Sequence, residues 1–216
     1  DSPGQAPIEV VRMAGVVTGP ARSEQWGEKK RGVDFFDVKG DVASLLELTQ
    51  VSAEFRFAPA DVAWLHPGQS AQLRRADRLA GHVGALHPER ARVLGIDADV
   101  YVFELDVEAI QPRPVPHARA VSRFPSVRRD IAVVVPDTVA FAQIEACVRS
   151  AVGEGLAELL VFDQYSGPNL GSGVKSLAIG LILQNSYRTL TDADADKSVA
   201  AAVAALTAEC QAKLRG

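Results

Sequence analysis

"LAELLVFDQYSGPNLGSGVKSLAIGLILQ", residues 156–184, consists of two apolar runs around a glycine loop. The inner piece, "GPNLGSGVKS" at 167–176, has the letters of a phosphate cradle. Such a loop requires G-x-x-x-x-G-K-[ST], with backbone N–H groups wrapping the phosphates and the lysine reaching them. Here Gly167 and Gly173 are six positions apart instead of five, and Val174 separates Gly173 from Lys175. The flanks decide the matter. A phosphate cradle opens a helix, whereas "KSLAIGLILQN" (175–185) alternates with period two, which is the signature of a strand. The loop is therefore read as a hairpin between two strands.

Outward from this hairpin the pattern continues. "SVRRDIAVVV" (126–135) is β-branched and strand-like, and "FAQIEACVRSAVG" (141–153) carries Ile144, Cys147, Val148, Ala151 and Val152 at helical spacing. Gly153 and Gly155 are stop signals. After the hairpin, Thr191 or Asp192 is a plausible N-cap, with acids in the first turn, for a long alanine-rich helix. "AKLRG" at the end suits a last edge strand. The order β-α-β-β-α-β is that of a ferredoxin-like sandwich. Two helices cover one face of such a sheet and leave the other open for a ligand.

Parity nominates residues for the open face. Leu177, Ile179, Leu181 and Leu183 share one side of their strand, while Ser176, Ala178 and Gly180 form a small, approachable floor on the other. On the preceding strand Asp163 and Tyr165 share a face, with Phe162 and Gln164 opposite. An aromatic ring, a carboxylate and a hydroxyl around a flat floor suit a polar ring such as a nucleobase. The same residues also read as a tyrosine closing a hairpin and an aspartate capping a turn, and composition alone favours this second reading.

Upstream, "QPRPVPHARAVSRFP" (111–125) holds four prolines and reads as an extended linker. It divides the chain into residues 1–110, the linker 111–125, and 126–216. In the first block, 8–19 reads as a strand and 33–50 as a short strand leading into a helix. Residues 65–73, 79–88 and 97–110 read as antiparallel strands. The chain is 47% hydrophobic and 23% charged, with no apolar run long enough to span a membrane. It lacks an initiator methionine and a secretory signal pattern, as expected of a piece of a longer chain. Residues 1–120 hold 14 Lys+Arg against 17 Asp+Glu (−3), and 121–216 hold 9 against 10 (−1). Neither half is basic enough to hold nucleic acid through phosphates alone, so an RNA site needs local cations and stacking. Cys147 and Cys210 have no metal-ligand spacing and read as two reduced thiols. No histidine is paired with another ligand, and no catalytic constellation is present.

Several motifs together resemble a known family. "FPSVRRDIAVVV" (124–135), "LLVFDQYSGPNLGSGVKSLAIGLILQ" (159–184) and "RTLTDADAD" (188–196) are similar to the C-terminal anticodon-binding domain of bacterial phenylalanyl-tRNA synthetase β subunits. "VDFFDVKGDVASLLEL" (33–48), "LHPGQSAQ" (65–72), "GHVGALHPE" (81–89) and "DVYVFELDVEAI" (99–110) resemble the end of the same subunit's catalytic-like module. The resemblance implies an α+β fold class: an antiparallel, partial class II synthetase-like module followed by the ferredoxin-like sandwich. It implies a cytoplasmic α2β2 enzyme that joins phenylalanine to tRNA(Phe), using ATP and magnesium on the α subunit. The partners would be tRNA(Phe), the α subunit and a second β subunit, with neither membrane nor DNA. The first block would be inactive, and "GIDADVYVFELDVEAI" (95–110) indeed contains no arginine. The family's N-terminal tRNA-binding and editing domains are missing here, so this piece would bind no cofactor and have no activity alone. Matching "FDxYxGxxxxxGxKS" places the tyrosine that stacks on the first anticodon base, a guanine, at Tyr165. Asp163 and Ser176 become its hydrogen-bonding partners. Arg128, Lys175 and Arg188 are candidate phosphate contacts, with Lys175 and Ser176 at the rim of the site.

Two other readings belong to different classes. A ferredoxin-like domain can regulate by binding a small metabolite, which a closed pocket would favour. A structural interaction domain would be favoured by a buried Tyr165.

Overall fold

The structure is a computed structural model and describes residues 9–111, 115 and 121–215. The chain forms two compact units, residues 1–117 and 118–216. Most of the proline-rich stretch expected to be a linker lies outside the described residues.

The first unit is an antiparallel sheet of β1 (Arg12–Thr18), β2 (Phe55–Pro59), β3 (Leu65–Arg75), β4 (Arg78–Leu86) and β5 (Val100–Asp106). The strand order is β1-β5-β4-β3-β2. Helix α1 (Phe35–Glu47) buries Val38, Val42 and Leu46 in a core that includes Leu73, Val83 and Leu105. The four-residue spacing of these three side chains makes one apolar stripe. The expected short strand before α1 is absent; only an isolated bridge joins Pro20 to Gly32. Asp34 is instead the helix cap, its carboxylate accepting from the N–H groups of Phe36 and Asp37, so the chain turns directly into the helix. Two elements escape the sequence reading. β2 is five residues long and ends in proline. The short helix α2 (Pro88–Val93) starts where "HP" looks like a turn, with Pro88 in its first turn and His87 Nδ1 accepting from the Glu89 N–H. Residues 97–110 form β5 and then a single helical turn, α3 (Val107–Ile110).

The second unit runs β6 (Val127–Pro136), α4 (Phe141–Val152), β7 (Leu156–Tyr165), β8 (Val174–Leu183), α5 (Asp192–Cys210), β9 (Lys213–Leu214). This is the β-α-β-β-α-β order read from the sequence. The sheet order is β7-β8-β6-β9, antiparallel throughout. Leu177, Ile179, Leu181 and Leu183 are all buried, as parity predicts, facing Ile144 and Val148 of α4 and Ala202 and Leu206 of α5. Alanines in α5 let the two helices and the sheet approach closely. Ahead of β6, the Ser122 hydroxyl donates to the Asn185 carbonyl (2.9 Å) and the Gln184 amide donates to the Phe124 carbonyl (2.8 Å), fastening the unit's start to the exit of β8.

Thr191 caps α5 through a reciprocal box with Asp194. The Asp194 carboxylate accepts from both terminal nitrogens of Arg188 (2.5 and 2.8 Å) and from the Thr191 N–H (2.9 Å). These bonds, those of Arg188 first, hold its carboxyl well below the usual carboxylate range. A depressed folded pKa gives stability that is complete above the unfolded value and is lost as pH falls through the folded one. Asp194→Asn should therefore lower the melting temperature at neutral pH. It should also flatten the fall in melting temperature below about pH 4, the ordinary carboxylate range, which thermal scans across pH would show.

Cys147 and Cys210, one on each helix, are buried free thiols. Desolvation pushes the Cys147 thiol up to about 11 and raises that of Cys210. Both should react slowly with a disulfide reagent at pH 8 in the folded protein and quickly after denaturation. Fast reaction of the native protein would contradict that environment.

Candidate nucleic-acid interface

Of the two register shifts in β7, at Leu156/Glu158 and at Val161/Asp163, the second decides what the end of this strand shows on the sheet face that α4 and α5 do not cover. Leu159 lies opposite Leu181 and Val161 opposite Ile179, both on the helix-covered side. Unbroken alternation would put Asp163 and Tyr165 on that side too. Instead a β-bulge makes Phe162 an extra residue, and pairing resumes with Asp163 opposite Ala178 and Tyr165 opposite Ser176. The bulge reverses the parity of the strand end. Asp163, Tyr165 and Ser176 consequently share the open face, the three residues nominated from the sequence.

Their exposures differ. Asp163 is exposed, Tyr165 half-buried, and Ser176 only 5% exposed. The expectation of an approachable Ser176 is thus corrected. The cover is a residue that sequence reading missed, Arg215. After α5, Gln211 adopts a left-handed backbone (φ 54°), and Lys213 and Leu214 pair with Val134 and Val133 at the sheet edge. The Arg215 N–H donates to the Ala132 carbonyl (2.8 Å), which continues the ladder. Its guanidinium then lies over the Tyr165 ring at 6.0 Å and reaches the Ser176 hydroxyl at 3.4 Å. The signal was the short edge strand itself: Lys213 faces the open side, so Arg215 does too. The hydroxyl end of the Tyr165 ring lies against Gly167, where a Cβ would overlap the phenol. Gly167→Ala should displace the ring without disturbing the core, and lower binding of any ligand stacked there with an unchanged melting temperature.

Arg128 lies on the same face, opposite Ile182. Its Nε donates to Asp130 Oδ1 (2.7 Å), and its guanidinium sits over the Phe162 ring at 5.1 Å. Phe162 therefore faces the open side, against the parity expectation, because the bulge turns both Phe162 and Asp163 outward. Gly180 forms the floor under the ion pair: a Cβ there would come within 3.1 Å of Asp130 Oδ1 and 3.3 Å of Arg128 Nε.

The other two basic candidates lie elsewhere. Lys175 pairs with Val135, so it projects to the helix side, where its Nζ donates to the Asp137 carbonyl at 3.0 Å. The expectation of Lys175 beside Ser176 at the rim is corrected by this register. Arg188 follows the far end of β8 from Tyr165 and is engaged by Asp194.

Among the described residues, no three His, Cys, Asp or Glu side chains cluster in a way that would hold a metal ion. No described helix is long and apolar enough to cross a membrane.

Comparison with known proteins agrees with both units. Residues 1–107 match the family described as phenylalanyl tRNA synthetase beta chain CLM domain, and residues 122–215 match the ferredoxin-fold anticodon binding domain. The chain is 45% identical over 214 residues to a phenylalanine–tRNA ligase beta subunit of Xanthomonas campestris, covering 99% of this chain and 27% of that protein. It is 44% identical over 208 residues to the one from Coxiella burnetii (96% and 26%) and 42% over 215 residues to the one from Xylella fastidiosa (100% and 27%). The chain thus spans about a quarter of the length of these relatives. With its two units matching successive domains of one subunit, and relatives of that subunit aligned along nearly all of it, the chain belongs to the family of bacterial phenylalanine–tRNA ligase beta subunits.

Proposed function

We propose that this chain is the anticodon-reading and assembly portion of a phenylalanine–tRNA ligase beta subunit. It acts in the cytoplasm within an α2β2 enzyme whose α subunit carries out aminoacylation with ATP and magnesium. The second unit receives the anticodon loop of tRNA(Phe) on its open sheet face. The first unit serves in assembly against the rest of the enzyme and carries no chemistry.

One observation carries the reading: the bulge that brings Tyr165 and Asp163 to the uncovered face, within a unit matching an anticodon-binding family. RNA-binding sheets work by splaying single-stranded bases onto aromatic rings. Tyr165 supplies the ring. Asp163 accepts from the N1–H and N2–H donors of a guanine, the first anticodon base. Ser176 offers its hydroxyl to the same base once Arg215 turns aside. Arg215, Arg128 and Lys213 lie on this face and supply local charge that the near-neutral unit otherwise lacks.

The test is fluorescence anisotropy of the 216-residue chain with a labelled tRNA(Phe) anticodon stem-loop. A second loop with the first anticodon guanine replaced is run at the same salt. Tighter binding of the guanine loop is expected. Equal binding to both loops would overturn direct readout by this face.

A further inference from the structure

Phe162 has no role in the core. It is the supernumerary residue of the bulge, 53% exposed, on the face shared by Tyr165 and Asp163. What holds it is the Arg128 guanidinium over its ring, itself fixed by Asp130 through Nε and resting on Gly180. Asp130 engages Nε, and among the described residues neither terminal nitrogen of Arg128 donates a hydrogen bond to a protein acceptor. A guanidinium plane, like an aromatic ring, is a surface on which unstacked bases settle.

We propose that Phe162 and Arg128 form a second nucleobase station, which holds a base of the same single-stranded RNA loop next to the one on Tyr165. The inference rests on the reading of this face as an RNA interface. Phe162 lies in the bulge between the Val161–Ile179 and Asp163–Ala178 pairs and Tyr165 pairs with Ser176, so the two are two to three positions apart along β8, roughly 7–10 Å at ~3.3 Å per residue. Bases stacked on one another lie ~3.4 Å apart, so the two stations hold bases that are splayed apart and not stacked together. The loop is held open along the strand. Arg128 contributes a stacking plane here rather than a bare charge, and Asp130 sets the angle of that plane.

The experiment uses the same chain and labelled stem-loop, with additional loops carrying one abasic position each. Phe162→Ala should weaken binding by about fivefold or more, the worth of one base–aromatic stack. It should leave the salt dependence unchanged, because no phosphate contact is lost. Arg128→Lys, which keeps the charge and removes the plane, should weaken binding with the same unaltered salt slope. Phe162→Leu should behave like the alanine variant while keeping apolar bulk. The Phe162 effect should vanish on the loop abasic at one position, different from the position at which Tyr165→Ala ceases to matter. If Tyr165→Ala weakens binding and Phe162→Ala changes it less than twofold, the second station is wrong and the interface stands. A Phe162 effect persisting on every abasic loop also overturns the station. If the chain does not bind the loop, or binds it indifferently to both aromatic residues, the interface falls and the station with it.

Discussion

Tyr165→Ala should weaken binding of the guanine-bearing anticodon loop by ~1–3 kcal/mol, or about 5- to 150-fold, and abolish its preference over the substituted loop. The size follows from what the ring does. Tyr165 lies outside the buried cluster of the second unit and is half-buried, with Gly167 and Arg215 beside it. Removing it takes away a stacking surface and no core packing, so melting temperature should be nearly unchanged. The salt slope should also hold, since no cation is lost. Tyr165→Phe keeps the face and should retain most of the affinity. A loss of affinity shared equally by both loops would mean that the ring supports the fold of the face and reads no base.

The largest effect on stability should come from Leu181→Ala. Leu181 is fully buried on the central strand β8, opposite Arg129 on one side and Leu159 on the other, beneath both helices. Truncating a leucine so placed leaves a cavity and typically costs about 2–5 kcal/mol. The two units offer separate reporters. Trp26 and Trp64 both belong to the first, while Cys147 and Cys210 are buried in the second. In denaturant titrations, thiol exposure should shift to lower concentration in the variant while the tryptophan signal keeps its midpoint. Parallel shifts of both signals would show that the units unfold as one.

The second unit was legible because its elements obey their periods. Leu177 through Leu183 alternate cleanly, and α4 puts Ile144, Cys147 and Val148 on one stripe. Thr191 and Asp194 announce the start of α5. The first unit was less so. Asp34 outweighed the strand tendency of its neighbours because a cap satisfies orphan N–H groups, and five-residue β2 is too short to display a period. At the site, residue types were legible and their surroundings were not. Tyr165 and Asp163 could be paired by parity, but nothing in "VFDQY" marks Phe162 as an extra residue. Arg215 is separated in sequence from Ser176 by all of α5, and only the register of β9 brings it back over the sheet. Lys175 shows the opposite case, a residue of the expected type at the expected place whose strand parity points it to the wrong side.

That bulge also means that residue count within β7, more than residue identity, determines what the open face displays. Deleting or inserting one residue between Val161 and Asp163 would leave "DQYSG" intact in the text while turning Tyr165 and Asp163 toward the helices. Two relatives could then carry the same recognition letters and differ wholly in what they present to RNA. Alignment gaps in this segment are accordingly more informative about anticodon reading than the substitutions on either side of them.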